Sequence, residues 1–389
     1  MRLLHVINSI NPVGGGPIEG LRQLDIYLAR RGVQARICCN DPPDADYVVN
    51  SGLDLVALGP SRLRYGFNTR IVRWLREHSH EYDVVIVHGI WQFHSLATWL
   101  ALRGGRTPYF VFTHGMLDPW FKERYPLKHL KKSLYWAVGD YWVLRDARAV
   151  LFTAEDERLR ARESFGLYQC REQIATFGTS PPPADRTGMR AAFTTAFPAT
   201  SGRRNLLFLG RIHEKKGVDL LMHAFGSVAA LDPSLHLIMA GPCDAPMRHQ
   251  LEAIAHGAGV GNRVTWTGML QGDLKWGAFE AAEAFCLPSH QENFGVAVAE
   301  SLACAVPVLI SNKVNIWREI EGDGAGMICE DTLEGAERVL RQWIGTPAVD
   351  RARMRERALA CFEQRFQSSS FADRLLEVVG VPEAAMQPV

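Results

Sequence analysis

The chain has 389 residues, 47% of them hydrophobic and 22% charged, with a formal net charge of +1. That length exceeds one typical core and sets an expectation of two domains of roughly 150 to 200 residues each, while the near-neutral charge excludes a general nucleic-acid binder, which carries a strong basic excess. The eight cysteines contain no CxxC pair and no His-spaced cluster, so they offer no metal-ligand spacing and read as reduced core residues.

The N-terminal run Met1 to Asn8 is apolar too briefly for a signal peptide, and nowhere do about 18 uncharged apolar residues follow one another. A cytoplasmic protein is expected. Short apolar runs, each followed by a turn and a helical pattern, are predicted as buried parallel strands at 3–7, 35–39, 84–87, 109–113 and 149–152. The first strand runs into Gly14-Gly15-Gly16-Pro17 and a helix over 18–31. Consecutive glycines let a backbone approach a ligand closely, and proline suits a first helical turn. The loop fits neither G-x-G-x-x-G nor a P-loop, so a tight turn and a phosphate or sugar contact both account for it.

After the second strand, Asp44-Ala45-Asp46 spells a DxD metal signature, but in the loop opened by Asp41-Pro42-Pro43 it reads as a solvated turn. Trp91, His94 and Trp99 are candidates either for an acceptor cleft or for core packing. Residues 120–136, from Trp120 to Trp136, interleave lysines with aromatics. Such a segment either rests on an anionic bilayer or packs its aromatics inward with the lysines outside. The proline-rich stretch Gly178 to Asp185 cannot continue a helix and is placed as the hinge between domains 1–180 and 181–369.

Strands resume at 206–209, 236–240, 264–267, 284–287, 306–310 and 327–329. The expected class is therefore α/β, with two doubly wound, Rossmann-like domains. Residues 370–389 supply a C-terminal helix and tail, which the sequence permits to cross back onto the first domain.

Two motifs in the second half carry chemistry. In Gly210-Arg211-Ile212-His213-Glu214-Lys215-Lys216-Gly217, the cations Arg211 and Lys216 can converge on one anion at a strand's C-terminal end. There they would stabilise the charge that grows as a nucleoside diphosphate departs; a solvated loop is the alternative. Glu292 belongs to a loop, and Glu300 to the helix predicted over 296–305. A carboxylate beside a helix start suits a ligand rich in hydroxyls and phosphates, such as a sugar nucleotide.

Gly210-Arg211, Glu214-Lys215-Lys216-Gly217 and Glu292-Asn293-Phe294-Gly295 with Glu300 resemble the retaining GT-B glycosyltransferases of family 4, and the resemblance covers nearly the whole chain. It implies two Rossmann-like domains facing across a cleft. It further implies that Arg211 and Lys216 hold the donor diphosphate, that Glu300 binds the ribose hydroxyls, and that Glu292 contacts the transferred sugar. The amides of Asn293, Phe294, Gly295 and Val296 would meet sugar or phosphate, and Gly15 and Gly16 would close over the donor. His114, in Thr113-His114-Gly115, would lie beside the donor sugar, and the backbone at Gly268, Met269 and Leu270 would read the base.

Retention in this family is explained by front-face attack, so no protein nucleophile is implied. Neither a metal nor a cofactor is expected beyond the nucleotide diphosphate sugar itself. The implied function is transfer of a sugar to a glycan or lipid-linked acceptor in polysaccharide or glycoconjugate biosynthesis, at the inner face of the cytoplasmic membrane if 120–136 meets lipid. A sugar-nucleotide epimerase of the same fold and a non-catalytic nucleotide-sugar binder are the alternatives.

Overall fold

A computed structural model of the chain describes residues 1–12, 16–63, 65–120, 122 and 126–380. It divides into two compact units, Met1–Gly178 together with the segment from Ser368 onward, and Thr179–Gln367.

The first unit is built on seven strands: β1 (Arg2–Ile7), β2 (Gln34–Cys39), β3 (Leu55–Ala57), β4 (Val84–His88), β5 (Tyr109–Phe112), β6 (Ala149–Phe152) and β7 (Glu172–Ile174). Their order is β3-β2-β1-β4-β5-β6-β7, with every pairing parallel. The central strands are apolar without alternation because helices cover both sheet faces, and β4, β5 and β6 are buried at every residue. Each fully buried aliphatic or aromatic side chain here contributes roughly 1.5–3 kcal/mol. The helix Ser368–Gly380 packs on the helix Gly16–Arg30, with Phe371 against Phe112 and Phe177, and Arg31 paired to Asp373 at 2.5 Å.

The second unit carries β8 (Arg204–Leu209), β9 (Leu235–Ala240), β10 (Val264–Gly268), β11 (Ala282–Leu287), β12 (Val308–Ser311) and β13 (Gly326–Cys329), in the order β10-β9-β8-β11-β12-β13 and again all parallel. Each sheet therefore has one point where the strand order reverses, between β1 and β4 in the first unit and between β8 and β11 in the second. Open α/β sheets bind ligands outside the carboxyl ends of the strands at such a point.

Two strands differ from the sequence expectation by being present at all. β3 is three half-buried residues, and β7 is an edge strand, Glu172-Gln173-Ile174, whose buried Glu172 carboxylate is held by Arg158 and Arg162. The helix expected over 296–305 stops at Ala303, because Ala305 turns to φ 56°. β12 begins at Val308 rather than Val306, consistent with Pro307 having no N–H to give the ladder. All eight cysteines are free thiols.

Candidate functional site

In the second unit the loops that follow β8 and β11 are stitched to each other. Lys215 O accepts from His290 N at 2.9 Å and from Ser289 Oγ at 2.9 Å, while Ser311 Oγ donates to Ser289 O at 2.5 Å. Gly217 closes the first loop at φ 62°, and a Cβ there would lie 2.0 Å from Pro288 O, so only glycine permits this approach. His213 caps the short 3-10 turn Glu214–Lys216 by accepting from Lys215 N at 3.1 Å. These constraints deliver Lys216 to the neighbouring loop, where its ammonium is ion-paired with the Glu292 carboxylate.

Arg211 is exposed on the same loop and close enough to repel Lys216. Burial first, then Lys215 and Arg211, push the Lys216 ammonium down to about 7. The Glu292 carboxylate in contact pulls the other way.

Glu292 is fixed through its backbone, which donates to Lys313 O at 2.9 Å and accepts from Asn315 N at 3.0 Å. Asn293 accepts from Asn315 Nδ2 at 3.1 Å, and Phe294 is buried with its ring edge-on to Phe366 at 5.7 Å. Gly295, at φ 71°, turns the chain into the helix Val296–Ala303. The first donors to find a carbonyl within that helix are Val298 and Ala299, both on Gly295 O, so the helix start and the positive end of its dipole lie beside Glu292. Glu300 is buried one turn further on and accepts from Lys275 Nζ at 2.6 Å.

Lys275, on the helix Gly272–Ala281, lies in no motif that would single it out along the chain. Met269 and Leu270 follow β10 at the same end of the sheet, Met269 exposed and Leu270 partly so. Arg211, Lys216 and Glu292 thus come together, with Asn293 to Val296 adjoining. Glu300 joins them through its helix, already engaged by a lysine.

In the first unit His114 follows β5 at φ 50°, an uncommon conformation for a non-glycine residue. The buried carboxylate of Glu157 holds it there. Its Oε1 accepts from Thr113 Oγ1 at 2.8 Å and Gly115 N at 2.6 Å, and its Oε2 accepts from Thr153 N and Thr153 Oγ1, each at 2.7 Å. The His114 ring hydrogen-bonds His88 at 3.1 Å, and burial lowers it to about 4.

Gly16 is the first residue of the helix Gly16–Arg30. Gly15 lies outside the described residues. The loop after β1 is anchored by Asp41, which accepts from Ser9 Oγ at 2.6 Å and Ile10 N at 2.7 Å. Asp44 sits exposed in the turn beyond, while Asp46 is not in that turn but is the exposed first residue of the short helix Asp46–Val49, and among the described residues no group of His, Cys, Asp and Glu is arranged to hold a metal.

Of the acceptor-side candidates, His94 is wholly buried and donates from Nε2 to His88 O at 2.8 Å, so it belongs to the core. Trp99 Nε1 donates to Asp146 at 2.8 Å. Trp91 stands at φ 70°, with its N–H on the buried Asp140 carboxylate at 2.8 Å and its ring under Lys132 Nζ at 4.6 Å. Burial raises Asp140 to about 7.

Of the segment 120–136, Phe121 and residues 123–125 lie outside the described residues. In the helix Pro126–Val138, Trp136 is buried and Tyr135 packs edge-on to Tyr65, while Leu127, Leu130, Leu134 and Val138 form an exposed apolar stripe. Among the described residues no helix is long and apolar enough to cross a membrane.

The family model for glycosyl transferases group 1 matches residues 193–360, and that for a glycosyl transferase 4-like domain matches 15–176. The D-inositol 3-phosphate glycosyltransferase of Mycolicibacterium gilvum is 28% identical over 327 residues, 76% of this chain and 69% of that protein. The protein of the same name from Geodermatophilus obscurus is 27% identical over 205 residues, which span 50% of this chain and only 44% of that one. Among solved structures, Anabaena HepE in complex with UDP and glucose aligns over 98% of this chain and 100% of its own, with a TM-score of 0.76 and 16% identity.

Proposed function

Because the chain belongs to the GT-B glycosyltransferases of family 4, we propose that it is a retaining, metal-independent enzyme that moves a sugar from a nucleotide diphosphate sugar to a glycan or lipid-linked acceptor in polysaccharide or glycoconjugate assembly. The observation that carries this reading is the convergence of Lys216, Arg211 and Glu292 at the switch point of the second sheet, beside the start of the helix Val296–Ala303. Two cations and a helix N-terminus suit a diphosphate, and they stabilise it most as the leaving group gains charge.

Arg211 and Lys216 are assigned to the diphosphate, Glu292 to the transferred sugar, Glu300 to the ribose, and the backbone at Met269 and Leu270 to the base. Gly15 and Gly16 are assigned to the donor and His114 to its sugar, as a neutral hydrogen-bonding ring. A neutral His114 fits a mechanism in which the departing phosphate, and not a protein base, takes the acceptor's proton. That HepE was solved with UDP and glucose supports a nucleotide-sugar donor here.

The exposed stripe Leu127, Leu130, Leu134 and Val138, flanked by the exposed Lys122 and Lys131, supports peripheral contact with an anionic bilayer that presents a lipid-linked acceptor.

The test is incubation with UDP- and GDP-sugars and a lipid or oligosaccharide acceptor panel, the anomeric linkage of the product being read by NMR. A product with the donor's anomeric configuration is expected. Free epimerised sugar nucleotide with no acceptor consumed would refute transfer, and an inverted linkage would refute retention.

A further inference from the structure

His5, His88 and His114 form a hydrogen-bonded row on one face of the first unit's sheet. The register explains how they meet: Ile7 pairs with His88 and His88 with Phe112, so strand alternation puts His5, His88 and Phe112 on one side. His114, just past the end of β5, stacks on the same rings, 5.3 Å from His88 and 5.4 Å from Phe112. His5 Nδ1 lies 3.0 Å from His88 Nε2, and His88 Nδ1 lies 3.1 Å from His114 Nε2. Both ring nitrogens of His88 are therefore committed within the row, and His114 keeps only Nδ1 for anything else.

A neutral imidazole has one N–H donor and one acceptor nitrogen. Burial keeps these rings neutral, lowering His5 to about 4 and holding His88 well below the ordinary imidazole value, the latter with added repulsion from its histidine neighbours. A neutral row admits two registers. In one, every N–H points towards His114, whose Nε2 accepts and whose Nδ1 carries hydrogen. In the other every N–H points away, and Nδ1 is a bare acceptor. The register is a property of the whole row, so His114 does not choose its tautomer alone.

We propose that His88 and His5 are positioning residues for glycosyl transfer, fixing which nitrogen of His114 carries the proton and hence whether Nδ1 offers the sugar a donor or an acceptor. This rests on the assignment of His114 to the donor sugar. The backbone supports such a role, since Glu157 bonds on both sides of His114 and the His94 bond to His88 O hold His114 and His88 in place.

The experiment is histidine-selective 15N NMR on the full chain, together with steady-state kinetics. In the wild type, His114 should show one dominant tautomer. His88→Phe keeps a ring beside Phe112 but removes both bonds; it should give averaged His114 nitrogen shifts and a kcat about tenfold lower, with the donor KM within about twofold. His5→Phe leaves the bond from His88 to His114 in place and should move the tautomer balance in the same sense by less.

A folded His88→Phe whose His114 tautomer and kcat match wild type would overturn the proposal. If that variant does not fold, His5→Phe decides alone, and an unchanged tautomer and turnover there would equally overturn it. The NMR arm needs no substrate. Absence of any sugar transfer by the wild type, with a tautomer that still answers to His88, would therefore sink the transferase reading while supporting the row's control of His114.

Discussion

Affinity for a nucleoside diphosphate should fall as pH rises from 7 to 9, because Lys216 loses its charge over that range. Burial, followed by repulsion from Lys215 and Arg211, brings the free ammonium down to about 7. A diphosphate bound against it would hold the proton on. Where the free protein has released that proton and the complex has not, each further pH unit costs up to tenfold in affinity, about 1.4 kcal/mol, which sets a ceiling of roughly 100-fold at pH 9. The Glu292 carboxylate raises the free-state value, so the loss should lie between a few-fold and that ceiling.

Calorimetric titration of UDP or GDP in two buffers of different ionisation enthalpy separates this effect from others, because binding at pH 8 should take up a fraction of a proton. Lys216→Arg, charged throughout, should flatten the pH dependence and abolish the uptake. A wild-type affinity that is flat from pH 7 to 9, with no proton uptake, would refute the reasoning. Lys216→Ala should lower turnover by orders of magnitude, since the contact matters most as the leaving group gains charge.

Glu157→Ala strands four donors around His114 and Thr153, so it should destabilise the first unit by about 3 kcal/mol, read as a lower Tm; an unchanged Tm would contradict the bracing role. Glu300→Ala should weaken nucleotide binding about tenfold through lost ribose hydrogen bonds, with calorimetry as the check and unchanged affinity as the contrary result. Leu130→Ser with Leu134→Ser should leave Tm nearly unchanged, both side chains being exposed, yet remove binding to phosphatidylglycerol vesicles in a sedimentation assay. Vesicle binding equal to wild type would remove the stripe from any membrane contact. Activity should survive EDTA, whereas loss restored by Mn²⁺ would return attention to Asp44 and Asp46.

What the sequence made legible follows from range. Strands β1, β4, β5 and β6 announce themselves because burial on both faces demands consecutive apolar residues. β3 and β7 do not, since each is an edge strand of only three residues: β3 is no more than half-buried, and β7 holds the buried Glu172 in place of an apolar run. Arg211 with Lys216, and Glu292 with Glu300, are local motifs and can be found by reading along the chain. Lys275, Asp41 and Glu157 are not, because each acquires its role from a partner that only the fold brings near: Glu300 for Lys275, Ile10 for Asp41 and Gly115 for Glu157. His5 and His88 are harder still to see, because a histidine inside an apolar strand looks like core until the register shows which neighbour it meets.

Asp41 and Glu157 in the first unit and Glu292 and Glu300 in the second are satisfied in chemically different ways, and this separates scaffold from site. Asp41 and Glu157 spend their oxygens on backbone N–H and hydroxyl groups, so their charge is neutralised by dipoles that belong to the fold and have no other ligand to serve. Glu292 and Glu300 instead face the ammonium groups of Lys216 and Lys275. An ammonium paired this way can be shared with an incoming phosphate, whereas a peptide N–H that locks a turn cannot be released without unfolding it. Glu157 is therefore a fixed strut that sets where His114 stands, and Asp41 one that sets the loop after β1. Glu292 and Glu300 are exchangeable partners, placed where the strand order reverses and where a charged ligand is best received.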